Sequence, residues 1–265
     1  MCFCEAHRQT FLHNLVLSTR IFPEINTFLE DNLHLIDVNL KNRHGCTALH
    51  SAVMNSGRKS TERTVKILLK HGANPNIKNN DGFTALHYAI VNGGIYSTIN
   101  TIRILLNHKA DIKIKNKQNL FPVFYAVRYS KFSEIIHLLI TNINQMRGDY
   151  RRTLIQEALV WFLPCGNSTM VKTLLNLGAD PNECDYFKCN ALHYLHNIHN
   201  RDDLYELFKT ANPLNLSIIE ILPIISAKEN ENIKLIQFLK KITVKYSYKN
   251  HRIIPTSFKK LLFLF

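Results

Sequence analysis

Apolar residues return along this chain in short runs at helical spacing, with Lys or Arg between them. Val65-Lys-Ile-Leu-Leu, Ile102-Arg-Ile-Leu-Leu, Ile135-Ile-His-Leu-Leu, Val171-Lys-Thr-Leu-Leu and Ile236-Gln-Phe-Leu are the clearest. Positions three and four apart share one side of a helix, so each run predicts an amphipathic helix with one buried and one solvated side. A second apolar segment precedes these runs, headed by Thr-x-Leu-His at Thr10, Thr47 and Thr84 and in degraded form at Asn190. Thr10, Thr47, Thr84 and Phe121 stand 37 residues apart, and Thr153, Asn190 and Leu222 follow at steps of 32, 37 and 32. The chain is therefore read as about seven helix-turn-helix units. They begin near 7, 44, 81, 118, 150, 187 and 219 and fill residues 1–241, leaving 242–265 as a C-terminal capping tail. In the first unit the two helices are expected at Phe11 to Thr19 and Pro23 to Asp31. In the sixth, the second helix is expected at Asp203 to Lys209.

Each part of the repeated signature has a mechanical reason. His44-Gly45 and Asp81-Gly82 supply a tight turn, because Gly accepts a backbone conformation that a Cβ resists. Thr47 and Thr84 stand where a helix N-cap hydroxyl meets an unpaired backbone N–H. Leu49 and Leu86 point to the core, and Ala52 and Ala89 are small where neighbouring helices touch. Gly72 and Gly178 end the second helices, and Pro75 and Pro181 prevent their resumption. The units opened by Thr47, Thr84 and Thr153 carry about four extra residues between their helices, so that insertion belongs in a loop.

This pattern resembles the ankyrin repeat family, whose unit of about 33 residues carries Thr-Pro-Leu-His-x-Ala. Gly72-Ala-Asn-Pro-Asn76 and Gly178-Ala-Asp-Pro-Asn182 match the family's Gly-Ala-Asp-x-Asn, with Lys109-Ala-Asp111 and Asp37-Val-Asn39 as weaker copies. The likeness covers about nine tenths of the chain and implies an all-α ankyrin-repeat solenoid with short hairpin fingers. It also implies that the repeated His13, His50, His87 and His193 bond the backbone of a neighbouring finger and are not catalytic. Asn76, with Leu68 eight residues before it, and Asn182, with Leu174, keep the context in which a host asparaginyl hydroxylase modifies ankyrin repeats. Units four and five depart from the pattern. Asn142-Ile-Asn-Gln-Met146 replaces Gly-Ala-Asp-x-Asn, Gly148-Asp-Tyr-Arg-Arg152 replaces the finger tip, and Gln156 stands where His is expected. Such irregularity marks either eroded structure or a place where recognition has overridden it.

Composition changes the picture in one respect. The chain has 33 Lys and Arg against 20 Asp and Glu, a formal charge of +13, which favours acidic protein surfaces or nucleic acid as partners. Lys41-Asn-Arg43, Lys78-Asn-Asn80 and Lys113 to Lys117 place part of that charge on finger tips as a basic rim. The six Cys follow no regular spacing and no secretory segment precedes them, so reduced thiols in the cytoplasm or nucleus are expected. Cys2, Cys4 and His7 lack a fourth ligand for a metal. No phosphate loop, metalloprotease motif or nucleophile elbow is present, so neither an enzyme, a cofactor, a small-molecule substrate nor a membrane partner is expected.

The predicted function is a protein-binding scaffold acting through its concave face. The position after the signature His gives a column of Asn14, Ser51, Tyr88, Tyr125, Glu157 and Tyr194. A second column gives Ser18, Asn55, Asn92, Tyr129 and Trp161, with Arg128 beside it. Tyr, Trp and Arg combine large contact area with a polar handle, which makes Tyr88, Asn92, Tyr125, Arg128, Tyr129, Glu157, Trp161 and Tyr194 the predicted partner-binding residues. Nucleic-acid binding is the alternative that the charge suggests. A further alternative comes from viral ankyrin-repeat proteins, notably of poxviruses, which end in an F-box-like segment that recruits a ubiquitin-ligase adaptor. Ile254-Pro255 and Leu261-Leu262 resemble that segment in shortened form. A richness in Lys, Asn and Ile suggests an AT-rich genome, as in large DNA viruses and intracellular bacteria, whose ankyrin proteins act on host proteins.

Overall fold

The computed structural model describes residues 5–93, 97–129, 134–140, 144–160, 168–197, 208 and 233–249. The chain divides into two compact units, Met1–Ile140 and Thr141–Phe265. The described residues are helical, without a β-strand. In the first unit four helix pairs follow one another: α1 (Glu5–Val16) with α2 (Glu24–Asn32), α3 (Ala48–Met54) with α4 (Glu62–Lys70), α5 (Ala85–Val91) with α6 (Ile99–Asn107), and α7 (Pro122–Tyr129) with α8 (Glu134–Leu139). The inner helices α1, α3, α5 and α7 pack side by side, and so do the outer helices α2, α4 and α6. The second unit holds α9 (Leu154–Val160), α10 (Ser168–Asn176), a 3-10 helix at Ala191–Asn197 and a long α11 (Ile233–Lys249). Helix α11 runs through position 241, where the sequence places the end of the array.

The cores follow the repeated apolar positions. Leu49, Leu68, Leu86, Ile102, Leu105, Leu120, Phe124 and Ile135 are fully enclosed in the first unit; Leu154, Leu159, Val171, Leu174 and Leu195 are enclosed in the second. Ala52, Ala89 and Ala126 are wholly buried, as close approach of helices requires. The extra residues of the second and third repeats fall in the loops after α3 and α5, where the Ser56 hydroxyl donates to that of Ser97 at 3.3 Å.

Helix ends show what the signature accomplishes. At α3 the Thr47 backbone N–H donates to His50 Nδ1 at 3.0 Å, a capping box in which His takes the place of Glu. Helix α5 repeats this with Thr84 and His87 at 3.2 Å. The outer helices use a simpler cap: the Thr61 and Thr98 hydroxyls accept the Thr64 and Thr101 N–H groups at 3.2 and 3.1 Å. Gly72 and Gly178 close α4 and α10 with positive φ, and Lys109 does the same after α6 at φ 64°.

Three expected details come out differently. Helix α1 begins at Glu5, so Thr10 lies inside it; Glu5-Ala-His-Arg-Gln has no turn-forming Gly and favours helix. The inner segment of the sixth unit is a 3-10 helix, because Asn190 caps it tightly: its carbonyl accepts the His193 N–H at 3.2 Å and its side-chain oxygen accepts that of Leu192. Asn144, despite the altered sequence around it, still clamps the following repeat. It donates to the Gly178 carbonyl and accepts the Asp180 N–H, as Asn39 does with Gly72 and Asn74, and Asn76 with Lys109 and Asp111. The segment Asp203 to Lys209 apart from Phe208, the copy at Leu222 to Ala227 and the tail from 250 onward lie outside the described residues.

Candidate protein-binding face

The signature histidines are structural. His13 Nε2 lies 2.8 Å from the Cys46 carbonyl, His50 Nε2 3.2 Å from that of Phe83, and His87 Nε2 3.4 Å from that of Leu120. Each bond reaches 33 residues along the chain, into the next finger. Because Nδ1 of His50 and His87 already accepts a backbone N–H, the remaining proton sits on Nε2 and donates to the carbonyl. Burial lowers the pKa of both to about 4, so both are neutral at physiological pH. In the fifth unit Gln156 does the same work: it accepts the Thr153 N–H at 2.8 Å and donates to the Cys189 carbonyl at 2.6 Å.

The tyrosine column is fixed by a partner that the sequence reading missed. Asn79 Nδ2 donates to the Tyr88 hydroxyl at 2.8 Å, Asn116 Nδ2 to that of Tyr125 at 2.7 Å, and the Tyr194 hydroxyl donates to Asp185. Every one of these pairs is nine residues apart. The Asn or Asp stands five residues before the Thr position of its unit, at 42, 79, 116 and 185, and its side-chain oxygen also accepts backbone N–H groups of the finger. An Asn or Asp at that fixed offset was the available signal. Phe83 sits among these rings, 5.3 Å from Tyr88 and 5.2 Å from Tyr125 between centroids. Burial pushes the Tyr88 phenol up to about 12 and Tyr194 further, so both stay protonated.

Exposure separates the predicted residues. Tyr88, Asn92 and Arg128 of the first unit and Tyr194 of the second are half-buried and keep part of their surface. Tyr125 is only 5% exposed and Glu157 0%, so neither presents a side chain to a partner, which corrects their assignment to the surface. The Tyr125 hydroxyl is bound twice, accepting from Asn116 and donating to Gln118. Glu157 faces inward toward Arg152, 3.7 Å away. Burial works against the Arg152 charge, but Tyr194, Glu157 and Asp185 outweigh it and raise its pKa. Tyr129 ends α7. Trp161 lies outside the described residues.

Of the two candidate modification sites, Asn76 has its side-chain amide engaged at both ends, donating to the Lys109 carbonyl and accepting the Asp111 N–H, and Asn182 stands on an exposed part of its finger. The basic rim is partly folded back: Lys41 Nζ donates to the Lys78 carbonyl at 3.0 Å and Lys115 lies 4.7 Å over the Phe121 ring. Among the described residues no group of His, Cys, Asp or Glu is arranged to hold a metal ion, and no helix is long and apolar enough to cross a membrane.

Two solved structures illustrate the likeness. The ankyrin repeat domain of Bcl-3, a member of the IkappaB protein family, superimposes with a TM-score of 0.67 at 22% identity, over 86% of this chain and 97% of that one. The ankyrin repeat domain of human ASB11 gives 0.66 at 21% identity, over 87% of this chain and 96% of that one. No curated protein matches the chain by sequence. The family model described as ankyrin repeats, three copies, matches residues 25–116, 59–149 and 94–185. Those overlapping matches span the same 37- and 32-residue steps that set the helix pairs, and the chain belongs to the ankyrin repeat family.

Proposed function

We propose that this protein works without catalysis, as a binding scaffold that captures another protein on its inner helices. Ankyrin repeats are protein–protein interaction domains. The observation that carries the reading is the state of Tyr88. Its hydroxyl is held by Asn79 and its ring by Phe83, yet part of its surface stays open beside Asn92. A large aromatic side chain already fixed in place loses little conformational freedom on binding, which is what an interface anchor requires. Arg128 on α7 and, in the second unit, Tyr194 are partly exposed in the same way.

The test is affinity capture from a cell extract with the parent chain and with Tyr88→Ala and Arg128→Glu together. Loss of captured proteins, with a far-ultraviolet spectrum and thermal midpoint close to the parent, is the expected result. Retention of every captured protein by the folded variant would move the binding face elsewhere.

A further inference from the structure

The formal charge is not spread evenly along the chain. Residues 41–117 hold thirteen Lys and Arg against three acids, Glu62, Asp81 and Asp111, which is +10 of the total +13. Part of it is concentrated on the outer helices of the second and third repeats. The exposed positions of α4 are Arg63, Lys66 and Lys70, and those of α6 are Asn100, Arg103 and Asn107. Spacings of three and four residues put each set on one side of its helix, and α4 packs beside α6. The result is a stripe of cations and amides about 10 Å long on each helix, with the two axes about 8–10 Å apart.

Neither helix exposes an acid. Glu62 opens α4 half-buried, and its carboxylate accepts the Thr98 hydroxyl and the Asn100 amide. Arg63 pairs with Glu30 of α2 at 3.3 Å. Lys66, Lys70 and Arg103 form no ion pair with any described residue. Lys109 adds a cation at the end of α6, in the left-handed closing position, φ 64°, where α4 and α10 use Gly72 and Gly178.

A second observation selects the occupant. Among the described residues no large apolar side chain between 36 and 137 is exposed: those of the first repeat end at Leu35, and the next is Leu138. A protein interface holds its partner through an apolar core, and a helix lying on a membrane inserts an apolar face. The stripe on α4 and α6 offers neither. Single strands are gripped by stacking their bases on open rings, which this span also lacks. Phosphates of a duplex require only cations and amide donors.

We propose that α4 and α6 bind the phosphate backbone of double-stranded nucleic acid, without regard to sequence. Lys66, Lys70 and Arg103 meet phosphates, Asn107 adds an amide donor, and Lys109 stands at the end of the stripe. A duplex rises about 3.4 Å per base pair, so the patch faces about three base pairs. This surface is separate from the inner helices that carry Tyr88 and Arg128, and the proposal does not depend on what those helices capture.

The full chain is titrated into a fluorescein-labelled DNA duplex of mixed sequence, about 20 base pairs long, with anisotropy read across a salt series. A dissociation constant of about 10 µM is expected at about 0.15 M salt, with log K falling against log salt at a slope of about −3. Lys66→Gln/Lys70→Gln/Arg103→Gln should bind at least about tenfold more weakly, with the slope cut to about −1. Lys109→Gly should bind about twofold more weakly and melt no lower than the parent, which separates lost binding from lost folding. Two controls should stay within about threefold of the parent: Tyr88→Ala on the inner face, and Lys78→Gln/Lys113→Gln/Lys117→Gln, which removes the same charge from the fingers. No binding by the parent, full binding by the outer-helix triple variant, or an equal loss in the finger variant would each overturn the proposal. So would poly-glutamate, phosphatidylserine vesicles or oligo(dT) displacing the labelled duplex as well as unlabelled duplex does, because the stripe would then answer to another class of anion.

Discussion

His50, His87 and Gln156 make the same pair of bonds with different chemistry, and the difference is testable. All three side chains accept the N–H at the head of their own helix and donate to a carbonyl 33 residues on. Replacing Gln156 by Ala strands a buried N–H and removes a donor from the Cys189 carbonyl, and should cost about 2 kcal/mol or more by urea denaturation. Gln156→His should cost less than half as much, since His serves at the equivalent place elsewhere in the chain. Titration distinguishes the two side chains. Burial depresses His50 and His87 to about 4, against about 6.5 when unfolded. Between those values the unfolded chain binds protons that the folded chain refuses. Stability from these groups is therefore complete above pH 6.5 and falls as pH drops toward 4, by up to about 3 kcal/mol for each site. Combined His50→Gln and His87→Gln should flatten the urea midpoint across that window, and an unchanged slope would assign the acid loss to other groups.

Fingers differ from one another in how they accommodate a left-handed residue. A Cβ at Gly45 would lie 2.7 Å from the Asn80 backbone nitrogen, and one at Gly82 2.7 Å from that of Lys117, because each tip abuts the next. A Cβ at Gly72 or Gly178 meets nothing within 4 Å. Gly72→Ala should therefore cost only the conformational term of about 1 kcal/mol, while Gly82→Ala adds a collision with backbone and should cost about twice that or more. Arg151→Gly runs the other way and should stabilise the second unit by about 1 kcal/mol, because Arg151 is left-handed at φ 59°. Thermal midpoints of the three variants settle the order; a Gly72→Ala loss equal to that of Gly82→Ala would remove the collision from the account.

Across the whole chain, periodicity carried most of what could be read in advance. Helix pairs, core leucines, small alanines and C-cap glycines repeat, so one clear copy interprets its neighbours. Side-chain exposure does not repeat in that way. Tyr88 and Tyr125 hold the same register position, yet Tyr88 keeps part of its surface while Tyr125 is 5% exposed and its hydroxyl is bonded by Gln118 as well as by Asn116. The Asn or Asp five residues before the Thr position was the periodic signal for that bond, but it shares its register with ordinary turn residues and so reads as part of the turn. The cations of α4 and α6 were legible as interleaved Lys and Arg, but only their exposure, in a span without exposed large apolar side chains, joins them into one surface. Net charge is a property of the molecule as a whole, and its consequence is kinetic. A formal +13 attracts an acidic partner over distances longer than any contact, and salt screens that attraction within about 8 Å at physiological ionic strength. The association rate with an acidic protein captured on the inner helices should fall at least about tenfold between 0.05 and 0.5 M salt, while the dissociation rate, set by the seated contacts at Tyr88, changes by less than about threefold. Stopped-flow fluorescence from the labelled partner measures both rates. If the salt dependence appeared mainly in dissociation, the charges would belong to the seated interface, and steering by the molecule's overall field would be the wrong account.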